Sequence, residues 1–334
     1  MRFEDVLEIK NGRNQKAVEN PEGRYPIYGS GGVMGYANDY ICEAQTVIIG
    51  RKGSINNPIF VEEPFWNVDT AFGLSANRDV LLPRYLFYFC KKFDFERLNK
   101  TVTIPSLTKS DLLKIEINLP DLEKQQEVVD QLVKIEQIIT LRKQELSALD
   151  NLIKARFIEL FGDGHDGKAP TKMLGSICKF QQGTQIPVEE QFEEQISGYK
   201  RFLRIIDYTQ APQPPRYVNV NGKEVNEKSV VIVRYGATAG FVGRGYQGIL
   251  ANNLFEIMPD ETILSKDFLF LALKYGTFEE EVHAKAFGAA MPALSFSMMN
   301  DIPVVVPATE QQQQFVSFVK QTDKSKFVAK IQKI

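Results

Sequence analysis

The feature that most constrains this chain is that it repeats itself. A shift of 171 residues lays RFEDVLEIKNGRNQ (2–15) over MLGSICKFQQGTQ (173–185), pairing Val6 with Ile177, Ile9 with Phe180 and Gly12 with Gly183. At a shift of 183, VIIGRKGS (47–54) meets VVIVRYGA (230–237), so Arg51 faces Arg234 and Gly53 faces Gly236. The same shift carries WNVDTAFGL (66–74) onto ILANNLFEI (249–257) and YLF (85–87) onto FLF (268–270). At 187, IPSL (104–107) meets MPAL (291–294), and INLPDLEKQQEVV (117–129) meets VVVPATEQQQQFV (304–316). The matches keep one order and the offset grows only in steps, as loop insertions make it grow. A period this long exceeds the roughly 20–50 residues of a solenoid unit, so the repeated object is a domain. A chain of 334 residues also suits two domains at roughly 100–200 residues each.

Each copy opens with a mixed body of short apolar runs broken by Gly, Pro and Asn. TVIIG (46–50), VVIVR (230–234) and IPVVVP (302–307) read as strands; segments 83–99 and 266–284 read as helices. After Pro120 the composition changes, and no Gly or Pro interrupts the chain until Gly162. Asp121 is placed to cap a long helix and Gly162 to end it; Thr309 with Gln312 has the form of a capping box in the second copy. Gln125, Leu132, Ile139, Leu146, Ile153 and Leu160 fall seven apart, with Val128, Ile135, Arg142, Leu149 and Arg156 three further on. This is a coiled-coil seam with polar exceptions, and Leu132, Ile135, Ile139, Leu146, Leu149, Ile153 and Leu160 are its expected helix-pairing residues. A helix of some 40 residues is about 60 Å long. It is too long to bury its seam on a body of this size, so a second helix, from 309 onward and shorter, is the expected partner. The alternative is a long helix folded back on its own body. The expected order is body 1–119, helix 120–162, body 163–307, helix 308–334, an α+β arrangement.

Composition excludes several classes. At 43% hydrophobic and 25% charged residues the chain can bury cores. It has no apolar run of membrane-spanning length, and the opening MRFEDVLEIK lacks a signal-peptide core. Cys42, Cys90 and Cys178 are far apart, and His165 and His283 are the only histidines, so neither a disulfide framework nor a multi-histidine metal site is expected. The cytoplasm is the expected compartment. The net charge is −2 and the pI about 5.9. Residues 1–119 hold 15 basic and 15 acidic side chains and residues 162–307 hold 14 and 17, so any nucleic-acid reading must use local patches.

The fragments YPIYGSGGVMGY (25–36), TVIIGRKGS (46–54), FWNVDTAFGL (65–74) and IPSLTKSDLLKIEINLPDLEKQQEVVDQL (104–132), with their second-copy partners, resemble the DNA specificity subunits of type I restriction-modification systems. The resemblance covers essentially the whole chain. It implies two similar mixed α/β target recognition domains, each followed by a long helix. The helices would pack as an antiparallel coiled coil with pseudo-two-fold symmetry. Such a subunit catalyses nothing. It reads a split sequence in double-stranded DNA, docks two methyltransferase (modification) subunits on its helices and is joined by a restriction/translocase subunit. S-adenosylmethionine, ATP and Mg are expected on those partners, none here, and no membrane is involved. Two like readers on one chain also suit a target with two half-sites on physical grounds.

DNA contacts need Arg, Lys, amide or hydroxyl side chains and free backbone amides. Arg51, Lys52, Gly53 and Ser54 follow an apolar strand and supply these; Arg234 and Tyr235 are their second-copy counterparts. An ordinary surface turn is the competing reading. GSGG (29–32), which contains Ser30 and lies between Tyr28 and Tyr36, lacks the order of a nucleotide-binding loop. Thr70 and Asn252, beside Asn67, Asp69 and Asn253, are either contacts or caps. Thr108 and Lys109, with Ser295 opposite, precede the last strand of each body. Arg201 and Arg204 sit in RFLRIIDYTQ (201–210), whose alternation suits a strand with a basic face or a solvated edge.

Rival functions are weaker. A self-contained methyltransferase needs an Asn/Asp-Pro-Pro-aromatic motif, and NPIF (57–60) has Ile where the second proline belongs. A nuclease needs a carboxylate layout that Glu189, Glu190, Glu193, Glu194 and Glu279–Glu281, as charge runs, do not provide. A protein-only coiled-coil scaffold remains as the third reading.

Overall fold

The computed structural model describes residues 1–100, 104–162, 168–210, 213–286 and 292–331. They form two compact units, Met1–Thr140 and Leu141–Ile334, divided within the long helix Leu122–Phe161. His165, Met291, the expected junction at 163 and the last residues, 332–334, lie outside the described residues.

The first unit is built on an antiparallel sheet in the order Leu7–Asn11, Ala71–Ala76, Thr46–Gly50, Ile59–Val61. Thr46–Gly50 is buried along its whole length, which is why this run is continuously apolar rather than alternating. The second unit repeats the sheet in the same order with Cys178–Gln182, Leu254–Pro259, Val230–Val233 and Val242–Gly243. The register repeats as well. Leu74 lies between Ile9 and Val47, and Ile257 lies between Phe180 and Val230. Each copy starts with a one-turn helix, Phe3–Val6 or Leu174–Ile177. The Phe3 N–H donates to the Ile115 carbonyl and the Leu174 N–H to that of Ile302, both at 2.9 Å. The expected helices are present but broken. Pro83–Lys92 is followed by a 3-10 turn at Phe95–Leu98, and Lys266–Tyr275 gives way at Gly276 to Phe278–Ala286.

Residues 14–45 and 186–229 barely resemble one another in sequence, yet one element survives in both. Tyr25–Gly29 runs parallel to Trp66–Asn67, with Ile27 opposite Trp66; Lys200–Leu203 runs parallel to Gly248–Leu250, with Phe202 opposite Ile249. The first copy then folds into a hairpin with Gly32–Ala37, whereas the second pairs with Arg216–Val218. The reading of 201–210 as one strand is corrected: the strand ends at Leu203 and Ile205–Thr209 is helical. The cause is Asp207, whose carboxylate accepts the Arg204 N–H at 2.9 Å and closes a helical turn.

Helix Leu122–Phe161 has 40 residues. Asp121 caps it by accepting the Lys124 N–H at 2.8 Å, and Gly162, at φ 75°, ends it. The last helix is Thr309–Ile331, with 23 residues. Its expected capping box does not form, because Gln312 turns into the body. The seven-residue stripe also needs correction. Ile135 and Leu160 are 51% and 37% exposed; Phe157 and Phe161, off the stripe, are the buried residues beside Ile153. A straight helix drifts about 20° per heptad against a seven-residue repeat, so the inward line leaves the stripe. Phe157 and Phe161 meet Phe315 of the last helix, each at 5.5 Å between ring centroids. Leu132, Ile139, Leu146 and Leu149 are half-buried.

All three thiols lie in cores. Burial pushes Cys42 and Cys178 up to about 12 from an ordinary 9.0, and burial alone raises Cys90 as well. The native thiols are therefore expected not to react with a disulfide reagent at pH 8. Above pH 9 the unfolded chain sheds thiol protons that the folded chain keeps, so stability falls as pH rises. The limiting slope is about 1.4 kcal/mol per pH unit per thiol. Urea titrations at pH 8 and pH 10 check the sign.

Candidate nucleic-acid interface

The loop Arg51–Ser54 leaves the buried strand Thr46–Gly50 and is exposed throughout. Its shape comes from backbone hydrogen bonds to two separate segments. The Arg51 N–H donates to the Thr70 carbonyl at 2.8 Å, the Gly53 N–H to Pro105 at 3.0 Å, and the Leu107 N–H to Arg51 at 2.9 Å. Gly53 is at φ 81°, a conformation that disfavours a side chain. The hairpin turn joins from a third side, Ser30 Oγ donating to the Lys52 carbonyl at 3.5 Å. The sequence therefore brings Ser30, Arg51, Lys52, Gly53, Ser54 and Thr70 together. Ser106, bridged to Lys52, is an addition that the IPSL repeat signalled only as a motif.

The second unit has the same loop. The Arg234 N–H donates to Asn253 at 2.9 Å, the Gly236 N–H to Pro292 at 3.1 Å, and the Leu294 N–H to Arg234 at 2.9 Å. Gly236 is at φ 85°, and Tyr235 bridges Ala293 as Lys52 bridges Ser106. The repeat thus extends to individual backbone hydrogen bonds.

The side chains differ more. Lys52 is exposed and pairs with no carboxylate among the described residues. Arg51 donates to the Asp69 carbonyl at 3.4 Å and lies 5.8 Å from the Phe72 ring, leaving most of its donors open. Arg234 is more engaged, donating to Leu294 at 3.3 Å and stacking 4.6 Å from Tyr235 and 5.2 Å from Phe255. Asn252 is half-buried and donates to Gln185 at 3.3 Å.

Other candidates serve the fold. Tyr28 packs edge-on to Phe65 at 5.4 Å, and burial, then the Glu63 carboxylate, raise its hydroxyl above the ordinary 10.0. Thr108 caps the short helix Lys109–Leu113, as Ser295 caps Phe296–Asn300. Lys109 donates to the Ile9 carbonyl at 2.6 Å. Arg201 and Arg204, expected to face outward as a basic strand, turn to the fully buried Asp207, each at 3.0 Å. The reason is electrostatic: a buried carboxylate needs cations and donors around it. Asn67 is buried, donating to Ala71 at 3.3 Å and accepting from Cys42, and is a structural link. Among the described residues no three His, Cys, Asp or Glu cluster as metal ligands, and no helix is long and apolar enough to cross a membrane.

Two globular copies, each presenting a glycine-shaped basic loop and each continued by a helix, define a repeated recognition module. The family model for the type I restriction modification DNA specificity domain matches residues 1–151 and again 168–334, and the chain belongs to that family. It is 23% identical over 306 residues to the type I restriction enzyme MjaIX specificity subunit of Methanocaldococcus jannaschii, covering 81% of this chain and 68% of that one. With the MjaVIII specificity subunit of the same organism it shares 24% identity over 45% of this chain, a match that spans 35% of that relative. Its fold is like that of the type I restriction-modification S subunit from M. genitalium, with a TM-score of 0.63, 18% identity and coverage of 100% and 91% of the two chains. A chain described for complex assembly and conformational transition of a type I system gives a TM-score of 0.56 at 16% identity, covering 100% of this chain and 92% of that one.

Proposed function

We propose that this chain is the non-catalytic specificity subunit of a type I restriction-modification complex. Its target recognition domains, 1–119 and 163–307, each read one half of a split sequence in double-stranded DNA. Helices 120–162 and 308–334 space them and dock two methyltransferase subunits, which a restriction/translocase subunit joins. S-adenosylmethionine, ATP and Mg belong to those partners, and the complex works in the cytoplasm. The observation that carries the reading is the recurrence of one loop, hydrogen bond for hydrogen bond, at Arg51–Gly53 and Arg234–Gly236. Expressing the chain with its modification subunits and mapping methylated adenines tests it. A two-part target is expected; a contiguous target, or methylation by the purified chain alone, overturns the reading.

Lys52 and Arg51 hold phosphates in this reading, and neither body is globally basic. Binding by the chain alone is therefore weak and falls steeply with salt. Lys52→Ala is expected to weaken all DNA alike and to lower the slope of log K against log salt by about 1. A base-reading position would instead change the methylated sequence. Titrations at several salt concentrations distinguish the two.

A further inference from the structure

We infer that Gln125 and Gln312 are positioning residues that set the angle at which each long helix leaves its body, and thereby the gap between half-sites that the subunit accepts. The inference rests on the DNA-reading role proposed above. Gln125 is fully buried. Its Oε1 accepts the Leu82 N–H at 2.9 Å, and its Nε2 donates to the carbonyls of Val80 at 2.9 Å and Pro120 at 2.8 Å. Gln312 is 2% exposed. Its Oε1 accepts the Ser265 N–H at 3.1 Å, and its Nε2 donates to Ile263 and Pro307, both at 2.9 Å.

The two joints are the same joint. The glutamine and the proline lie 187 residues apart between copies, and the body partners 183 apart, so an insertion has fallen between the two halves without disturbing the contact. Only a side-chain amide of this length meets the demand. It offers one acceptor and two donors; Glu cannot donate, Asn is a methylene short, and an apolar residue does neither. Apolar packing alone would attach the helix, since Val129, one turn on from Gln125, is 5% exposed. Three directional bonds to backbone add what packing does not: a fixed tilt and rotation, as a buried polar residue fixes register in a coiled coil. The lever is long. A tilt of about 3° carries the far end of a helix of about 60 Å through about 3 Å, close to one base-pair step.

The test uses the full chain with its modification subunits. The DNA panel holds the two mapped half-sites at the native gap and at one base pair more or fewer. For Gln125→Leu with Gln312→Leu, and for Gln125→Glu alone, the preference for the native gap over its neighbours is expected to fall at least about tenfold, or about 1.4 kcal/mol of discrimination. A proportional loss at every gap, with the preference unchanged, overturns the inference and leaves the glutamines merely structural. Hydrogen exchange in the unaltered protein needs no variant to fold. The Leu82 and Ser265 amides are expected to exchange as slowly as those of Thr46–Gly50; exchange at the rate of open amides also overturns it. If the unaltered complex methylates no split target, the functional reading fails, and the exchange rates still decide whether the joint is formed.

Discussion

Phe157→Ala is expected to destabilise the second unit by about 3–5 kcal/mol, the cost of a cavity left by a fully buried aromatic. Phe157 has no exposed surface and sits among Phe161, Phe268 and Phe315, with ring centroids 5.2 Å, 6.2 Å and 5.5 Å away. These rings join three helices: Phe157 and Phe161 come from Leu122–Phe161, Phe268 from Lys266–Tyr275 and Phe315 from Thr309–Ile331. The gap cannot close cheaply, because each neighbour is itself fixed by the others. Urea unfolding followed at the second unit should show a lower midpoint with an unchanged slope. Phe161→Leu, which keeps most of the volume, should cost less. A loss below about 1 kcal/mol for Phe157→Ala would mean that the cluster relaxes freely, contrary to a close-packed core.

Asp207→Ala comes next, with an expected loss of about 3 kcal/mol. The carboxylate is fully buried, and the two guanidinium groups beside it are 30% and 21% exposed. It accepts from Arg201 at 3.0 Å, from Arg204 Nε at 3.0 Å and from the Arg204 N–H at 2.9 Å. Removing it leaves two cations in poor solvent and uncaps Ile205–Thr209, whereas removing the whole cluster together would cost less. Arg201 is also held 4.6 Å above Tyr246, and Arg204 donates to Pro214 at 2.9 Å, so neither can swing freely into water. Denaturant curves for Asp207→Ala and for the triple variant with Arg201→Met and Arg204→Met test this. The single change should be the more damaging.

What the sequence revealed, and what it hid, follows from the range of each interaction. The duplication was visible because it repeats side chains, and the loops at Arg51 and Arg234 because glycine marks a backbone with positive φ. The parallel pairing of Tyr25–Gly29 and of Lys200–Leu203 was not visible, since only its backbone is shared. Gln125 and Gln312 were read as a seam residue and a capping residue. Besides a proline carbonyl five residues back, their true partners are a carbonyl and an amide more than forty residues away, which no local pattern reports. Arg201 and Arg204 looked like a basic face because alternation cannot reveal that the nearby Asp207 points inward. Thr108 and Lys109 carried chemistry suited to DNA, but a helix cap and a carbonyl tie claimed it first.

Gly12 and Gly183 carry a last consequence. A methyl group on Gly12 would sit 1.8 Å from the Val68 carbonyl oxygen, and one on Gly183 would sit 2.1 Å from that of Ala251. Both donate their N–H across the sheet, to Ala71 at 3.2 Å and to Leu254 at 3.0 Å. A side chain at either point would force two backbone segments apart, so both positions demand glycine for the same steric reason. The two bodies therefore share a fixed crossing of backbones at the same place, whatever the neighbouring segments 14–45 and 186–229 carry.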